Sequence, residues 1–176
     1  MSSLLGICGS LRAGSYNRML MKIAAATYGG PFAEGSIRLP LYDGDLETTE
    51  GIPQSVQTLA EQIQRAEAVI IVSPEYNKSI AGGLKNALDW ISRTKIAPWR
   101  DKPVAILSAN DGRSGGERGQ NALRLALSPF GPRLLTGREV LVGEASQQFD
   151  ATGNLTNDRY LRAIETQMAA LKDLIR

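Results

Sequence analysis

A polar segment near the start of the chain has the composition of a phosphate-binding loop. This first loop, residues 9–17, reads GSLRAGSYN and separates an apolar run, Leu4–Cys8, from a helical pattern that begins near Arg18. Hydroxyls, free backbone N–H groups and a guanidinium are the groups that hold a phosphate at a helix N-terminus. We therefore predict that the polar side chains of this loop bind a phosphate, with the arginine as its charged clamp: Ser10, Arg12, Ser15 and Asn17.

Two common nucleotide-binding motifs do not account for this loop. Gly9 and Gly14 have the glycine spacing of a P-loop, but Ser15 stands where that motif needs a lysine. The paired glycines of the dinucleotide fingerprint are also missing, because residues 6–9 read GICG. An NTPase and a Rossmann-type NAD site are therefore disfavoured. A plain helix cap and turn remains the alternative role for Ser15 and Asn17.

Two further polar segments follow apolar runs of strand type. The second loop, residues 73–83, follows the run 69–72, and the third loop, residues 108–116, follows the run 104–107. In a parallel α/β sheet, ligands bind outside the carboxyl ends of the strands. We therefore expect all three loops to share one edge of a sheet.

The elements that must position these loops alternate along the chain. Short apolar runs predict buried strands at residues 4–8, 36–39, 69–72, 104–107 and 140–142. Apolar residues at helical spacing predict helices over residues 56–63, 84–91 and 161–171, and we expect a further helix over about residues 117–127. This alternation predicts one α/β domain over residues 1–176, a doubly wound parallel sheet of five strands with helices on both faces.

The amino-acid composition limits the kinds of catalytic and metal sites that the chain can form. The chain has 176 residues, one cysteine, no histidine and a net charge of +2. A protein without histidine lacks the commonest metal ligand and the commonest general base, so a zinc site and Ser-His or Cys-His catalysis are not expected. We expect Cys8 to be a small core residue. The balanced charge and the absence of a leader or a long apolar run predict a cytoplasmic protein that binds neither nucleic acid nor membrane.

Two motifs together resemble those of a known family. GSLRxxSxN, followed by PEYNxSxxGxLKNxxDW, is similar to the NADPH-dependent FMN reductases, flavodoxin-like flavoproteins that include quinone, azo-dye and chromate reductases. The resemblance covers essentially the whole chain. It implies FMN as cofactor, NADPH or NADH as co-substrate, and a small acceptor such as a flavin, quinone, azo dye, chromate or ferric chelate. It also implies ping-pong hydride transfer at flavin N5 without a catalytic side chain, and a homodimer or homotetramer.

The resemblance also assigns roles to residues. Ser10, Arg12, Ser15 and Asn17 match the residues that hold the FMN phosphate. The turn beneath the isoalloxazine ring corresponds to Pro74, Glu75, Tyr76 and Asn77. The flavin pocket is completed by Ser79, Gly82 and Ser108. One departure is Ala81, where the family usually has proline.

Three further expectations concern function and assembly. The rival to an enzyme is a flavodoxin-type electron-transfer module reduced by a partner protein, although such modules are typically acidic and this chain has a pI of about 8.8.

Arg113 and Arg118 are candidates to bind the 2′-phosphate of NADPH, with plain surface solvation as the alternative. For the subunit contact, we expect Ile80, Trp90 and Trp99 near an exposed rim, with packing in the core as the alternative role of the two tryptophans.

Overall fold

The computed structural model describes residues 3–137 and 139–175. Its strands, in chain order, are β1 Leu4–Cys8, β2 Phe32–Gly35, β3 Ala68–Val72, β4 Glu75–Tyr76, β5 Ser79–Ile80, β6 Pro103–Ala109, β7 Arg133–Leu134 and β8 Val140–Val142. Its helices are α1 Tyr16–Tyr28, α2 Gly44–Glu50, α3 Gln54–Arg65, α4 Gly82–Ser92, α5 Glu117–Leu127 and α6 Asp158–Ile175.

The central sheet is parallel and doubly wound, which confirms the predicted fold class, but among the described residues it has six strands and not the predicted five. Its strand order is β2-β1-β3-β6-β7, and β8 also pairs with β6. The fifth position of the sheet is therefore divided, because β7 pairs with the start of β6 at Pro103 and β8 with its end at Leu107. The two-stranded β4–β5 hairpin stands apart from this sheet.

Helices cover both faces of the sheet. On one face, α1 and α6 pack Leu20, Met21 and Met168 against side chains of β1, β3 and β6. On the other, α3, α4 and α5 contribute Leu59 and Leu88 to a second cluster. Because β1, β3 and β6 are covered on both faces, every residue of each is buried.

The predicted strand over residues 36–39 is wrong, because the second strand is Phe32–Gly35. This edge strand exposes Phe32, Ala33 and Glu34, so it lacks the apolar run that marks a buried strand. Ile37 is buried within the segment that follows, where the Ser36 hydroxyl accepts a hydrogen bond from the Arg38 backbone N–H at 3.2 Å. Ile37 is apolar because it packs in the core, and it does not pair with a strand of the sheet.

The expectation that two tryptophans lie at an exposed rim is also wrong. Trp90 and Trp99 are 0% and 2% exposed within the chain. The Trp90 indole donates a hydrogen bond to the Pro40 carbonyl at 2.8 Å and packs edge-on against Tyr42. Trp90 therefore fastens the segment after β2 to helix α4.

Candidate functional site

The three polar loops meet at the carboxyl edge of the sheet, where they form an open cleft. The cleft is lined by Ser10, Arg12, Ser15, Tyr16, Asn17, Pro74, Tyr76, Ala109, Asn110 and Asp111. Its floor is formed by the residues that follow β1, β3 and β6. The structure thus brings together six of the predicted site residues: Ser10, Arg12, Ser15, Asn17, Pro74 and Tyr76.

The first loop is held tightly against the sheet. Ser15 caps helix α1, and its hydroxyl accepts a hydrogen bond from the Asn17 backbone N–H at 3.2 Å. The Ser10 hydroxyl accepts one from the Arg12 backbone N–H at 3.3 Å. Gly9 permits the close approach, because a Cβ there would lie 2.2 Å from the Ser73 Oγ. The loop therefore presents two hydroxyls and the start of α1 to the cleft, with the exposed Arg12 at its mouth.

Asn17 joins the first loop to the third. Its side-chain amide donates to the Ala109 carbonyl at 2.7 Å, and its side-chain oxygen accepts from the Ala109 N–H at 2.9 Å. The side chain thus pairs with both backbone groups of one residue, as a neighbouring strand would. This clamp is a structural role that the motif did not indicate, and the predicted contact of Asn17 with a phosphate stays a prediction.

The β4–β5 hairpin forms the opposite wall of the cleft. Its turn residues Asn77 and Lys78 both have left-handed backbone conformations, with φ of 49° and 63°, as two-residue hairpin turns require. Asn110 braces the hairpin, because its side chain accepts from the Glu75 N–H at 2.8 Å and donates to the Glu75 carbonyl at 3.0 Å. Tyr76 is 46% exposed and is available to a ligand.

The Glu75 side chain connects this hairpin to helix α5. Its carboxylate accepts a hydrogen bond from the Gly119 N–H at 3.0 Å, in the first turn of that helix, where a negative charge is favoured. A Cβ on Gly119 would lie 3.0 Å from the Glu75 Cα, so glycine lets the hairpin approach the helix. Glu75 therefore anchors the wall of the cleft and does not line it.

Ser108 has a supporting role of the same kind. It is fully buried, and its hydroxyl donates to the Gly115 carbonyl at 2.6 Å and accepts from the Gln120 side-chain amide at 2.9 Å. It holds the third loop to helix α5, beneath the cleft. Direct flavin contacts stay predictions for every predicted site residue, both those that line the cleft and those outside its lining: Glu75, Asn77, Ser79, Gly82 and Ser108.

Sequence reasoning did not assign four residues that line the cleft: Tyr16, Ala109, Asn110 and Asp111. Tyr16 stacks on Phe149, with ring centroids 5.3 Å apart. The Asp111 carboxylate accepts a hydrogen bond from the Ser146 N–H at 2.9 Å, which ties the third loop to the segment after β8. The only available signal was position, since Ala109, Asn110 and Asp111 lie at or just beyond the carboxyl end of a buried strand.

The side chains that line the cleft are mainly hydrogen-bonding groups. Its polar groups are hydroxyls, amides, one guanidinium and one carboxylate, and the chain supplies no imidazole. Cys8 lies beneath the first loop in the core, where burial raises the pKa of its thiol above the ordinary value. The donor set fits a phosphate near Ser10, Arg12 and Ser15, and the exposed Tyr76 wall fits a flat ring.

Comparisons with known proteins agree with this chemistry. The family model of the NADPH-dependent FMN reductases matches residues 2–147. The chain is 40% identical to an NAD(P)H-dependent FMN reductase of Pseudomonas aeruginosa, over 98% of this chain and 95% of that protein. It is 39% identical to a quinone reductase of Escherichia coli, over 96% and 93% of the two chains.

Solved structures show the same fold. FerB, a flavoenzyme NAD(P)H:(acceptor) oxidoreductase from Paracoccus denitrificans, is 30% identical, with a TM-score of 0.89 over 99% of this chain and 97% of that one. A WrbA-like flavodoxin from Agrobacterium tumefaciens, 14% identical, matches with a TM-score of 0.65 over 99% and 98% of the two chains. The second match shows the flavodoxin-like fold alone.

Proposed function

The chain belongs to the NADPH-dependent FMN reductase family, and from that premise we propose that it reduces a small acceptor by a ping-pong mechanism with FMN held in the cleft. It is an NAD(P)H-dependent flavin oxidoreductase that uses FMN. We favour a quinone as the acceptor, because the Escherichia coli relative is named a quinone reductase. Flavins, azo dyes, chromate and ferric chelates are the other candidates.

The proposed position of FMN in the cleft rests on one observation, the set of phosphate-binding groups in the first loop. Ser10 and Ser15 present hydroxyls at the start of α1, and Arg12 stands at the mouth of the same cleft. A helix N-terminus with hydroxyls and a guanidinium favours a phosphate monoester. The hairpin braced by Asn110 and Glu75 contributes Tyr76 to the same cleft, and Tyr76 would contact the isoalloxazine ring.

The residues of the chain act by binding and orientation. Bound FMN supplies hydride acceptance from a nicotinamide and electron donation to the acceptor. Ser10, Ser15 and Arg12 would hold the phosphate, and Tyr76 of the hairpin would contact the ring. Because the cleft is open, a nicotinamide and an acceptor could enter it one after the other. This alternation is the basis of the proposed ping-pong order.

Steady-state kinetics with the purified protein test this function. We expect NADPH or NADH to bleach the bound flavin without oxygen, and expect 1,4-benzoquinone to restore its colour. Initial rates at several quinone concentrations should give parallel double-reciprocal lines. A protein that binds FMN but is not reduced by either nicotinamide would be the flavodoxin-type module instead.

We also propose a homodimer or homotetramer in the cytoplasm. Apolar side chains are exposed on the first loop, on the segment after β2 and on the hairpin: Leu11 44%, Leu41 82%, Tyr42 39% and Tyr76 46%. A second copy of the chain would cover such side chains. Among the described residues, no helix has the length and apolar character needed to cross a bilayer. Light scattering after gel filtration tests the assembly, and a fully active monomer at nanomolar concentration would contradict it.

A further inference from the structure

A second cavity lies beside the cleft, on the other side of the first loop. Its volume is about 400 Å³, and its floor includes Cys8 and Gly35, the last residues of β1 and β2. Leu11 and Ala13 of the first loop form part of its wall. Adjacent strands lie about 4.8 Å apart, so the floors of the two cavities are separated by roughly one or two strand spacings. One elongated ligand can therefore reach both.

Three charged side chains line this cavity: Arg18, Glu34 and Arg38. An Arg18 Nη lies 3.2 Å from a Glu34 carboxylate oxygen, and both side chains are about one-third exposed. The Arg38 side chain is exposed and has no ion pair within the described parts of the chain. The cavity thus carries one more positive charge than negative.

Arg18 is placed unfavourably with respect to the dipole of its helix. Arg18 lies in the first turn of α1, which contains no acidic residue, so its charge faces the positive end of the helix dipole. Its Nε is buried without a hydrogen-bond acceptor, which is unfavourable for a charged donor. An anionic ligand in this cavity would offset the repulsion between the Arg18 charge and the positive end of the helix dipole. After a small shift of the side chain, the ligand could also accept a hydrogen bond from the guanidinium.

We propose that this cavity binds the adenosine 2′-phosphate of NADPH and thereby makes the enzyme prefer NADPH to NADH. The inference rests on the proposed function, in which the nicotinamide end of the same molecule lies at the flavin cleft. The 2′-phosphate is the one group that distinguishes the two nucleotides, and arginine forks suit it. Arg113 and Arg118, the candidates from sequence, are exposed on the third loop and at the start of α5.

Kinetics with paired arginine variants test the assignment. We expect Arg18→Ala with Arg38→Ala to lower the ratio of kcat/KM for NADPH to that for NADH by about tenfold or more, as loss of a charge-assisted contact does. The matched control is Arg113→Ala with Arg118→Ala, which should leave the ratio unchanged. An unchanged ratio in the first pair, or a fall in the control pair, overturns the proposal.

Calorimetric titration gives a readout that is independent of turnover. FMN-loaded wild-type protein should bind adenosine 2′,5′-bisphosphate at least tenfold more tightly than 5′-AMP, and the Arg18/Arg38 variant should lose this difference. Glu34→Gln should tighten binding of the bisphosphate, because it removes the one carboxylate that lines the cavity. Equal binding of the two nucleotides by the wild type overturns the proposal.

The proposed function can fail separately. Absence of flavin reduction by either nucleotide would refute the reductase activity, whereas reduction without discrimination refutes only the assignment of this cavity. Thermal unfolding of the apo-protein provides a further check, because Arg18→Ala removes a buried Nε that lacks an acceptor and, with it, only a partly exposed ion pair to Glu34. We expect a melting temperature equal to or above that of the wild type, and a clear fall would mean that Arg18 serves folding.

Discussion

Asn17→Ala should destabilise the fold more than it weakens the site. The side chain is 3% exposed, and its two hydrogen bonds, of 2.7 and 2.9 Å, satisfy both backbone groups of Ala109. Truncation leaves a buried N–H and a buried carbonyl unpaired, each at a cost of about 1–3 kcal/mol, or about 2–6 kcal/mol together. We expect the lower half of that range, since the adjoining cleft admits water. Urea denaturation of the apo-protein, followed by circular dichroism, measures the difference.

Two comparison variants make this measurement specific. Asn17→Asp keeps an acceptor for the Ala109 N–H but places a second oxygen against the Ala109 carbonyl, so it should destabilise the fold comparably. Thr27→Ala, at an exposed position of the same helix, loses only a hydroxyl bond to the Ile23 carbonyl and should change stability by less than about 0.5 kcal/mol. If Asn17→Ala unfolds like the wild type but binds FMN a hundredfold more weakly, Asn17 is a phosphate ligand and does not stabilise the third loop.

Three further variants test other parts of the reasoning. Arg12→Ala should weaken FMN binding about ten- to a hundredfold and leave riboflavin binding unchanged, because riboflavin lacks the phosphate; equal FMN affinity by titration calorimetry would exclude the clamp. Glu75→Ala should lower the free energy of unfolding by about 1–3 kcal/mol and weaken FMN binding, whereas Glu75→Gln, which retains an acceptor for Gly119, should recover most of both. A Gln variant as impaired as the Ala variant would show that the charge matters more than the hydrogen bond. Hydrogen bonds from the Asn154 backbone and the Thr152 hydroxyl hold the pKa of Asp150 at about 2, below its ordinary 3.8. This carboxylate therefore contributes stability above about pH 4 that is lost as the pH falls towards 2. Acid unfolding of Asp150→Asn should depend less steeply on pH in that window, and an unchanged profile would contradict this contribution.

Strands and helices were predictable where burial alone determines the residue type. The buried strands β1, β3 and β6 are covered on both faces, so their apolar runs stand out, and α5 spans Glu117–Leu127 as expected. Strand β2 was not predictable, because an edge strand with three exposed residues has no periodic signal. The buried Ile37 next to it misplaced the strand by four residues.

The candidate site was predictable as a set of loops but not as a set of contacts. Its location follows from topology, since polar segments after parallel strands share the carboxyl edge. Residue type, however, does not distinguish a side chain that faces the cleft from one that supports its wall. Ser10 and Ser108 both lie near the carboxyl end of a strand. Ser10 lines the cleft, whereas Ser108 is buried beneath the third loop.

Two asparagines explain why the three loops behave as one structure. Asn17 pairs with the backbone of Ala109, and Asn110 pairs with the backbone of Glu75, so the side chains link the first loop to the third and the third to the hairpin. Each amide donates and accepts at one residue, which fixes orientation as well as distance. A displacement of the third loop must therefore break contacts to both walls of the cleft. The site is consequently organised before any ligand enters, which lowers the ordering cost of binding a flavin.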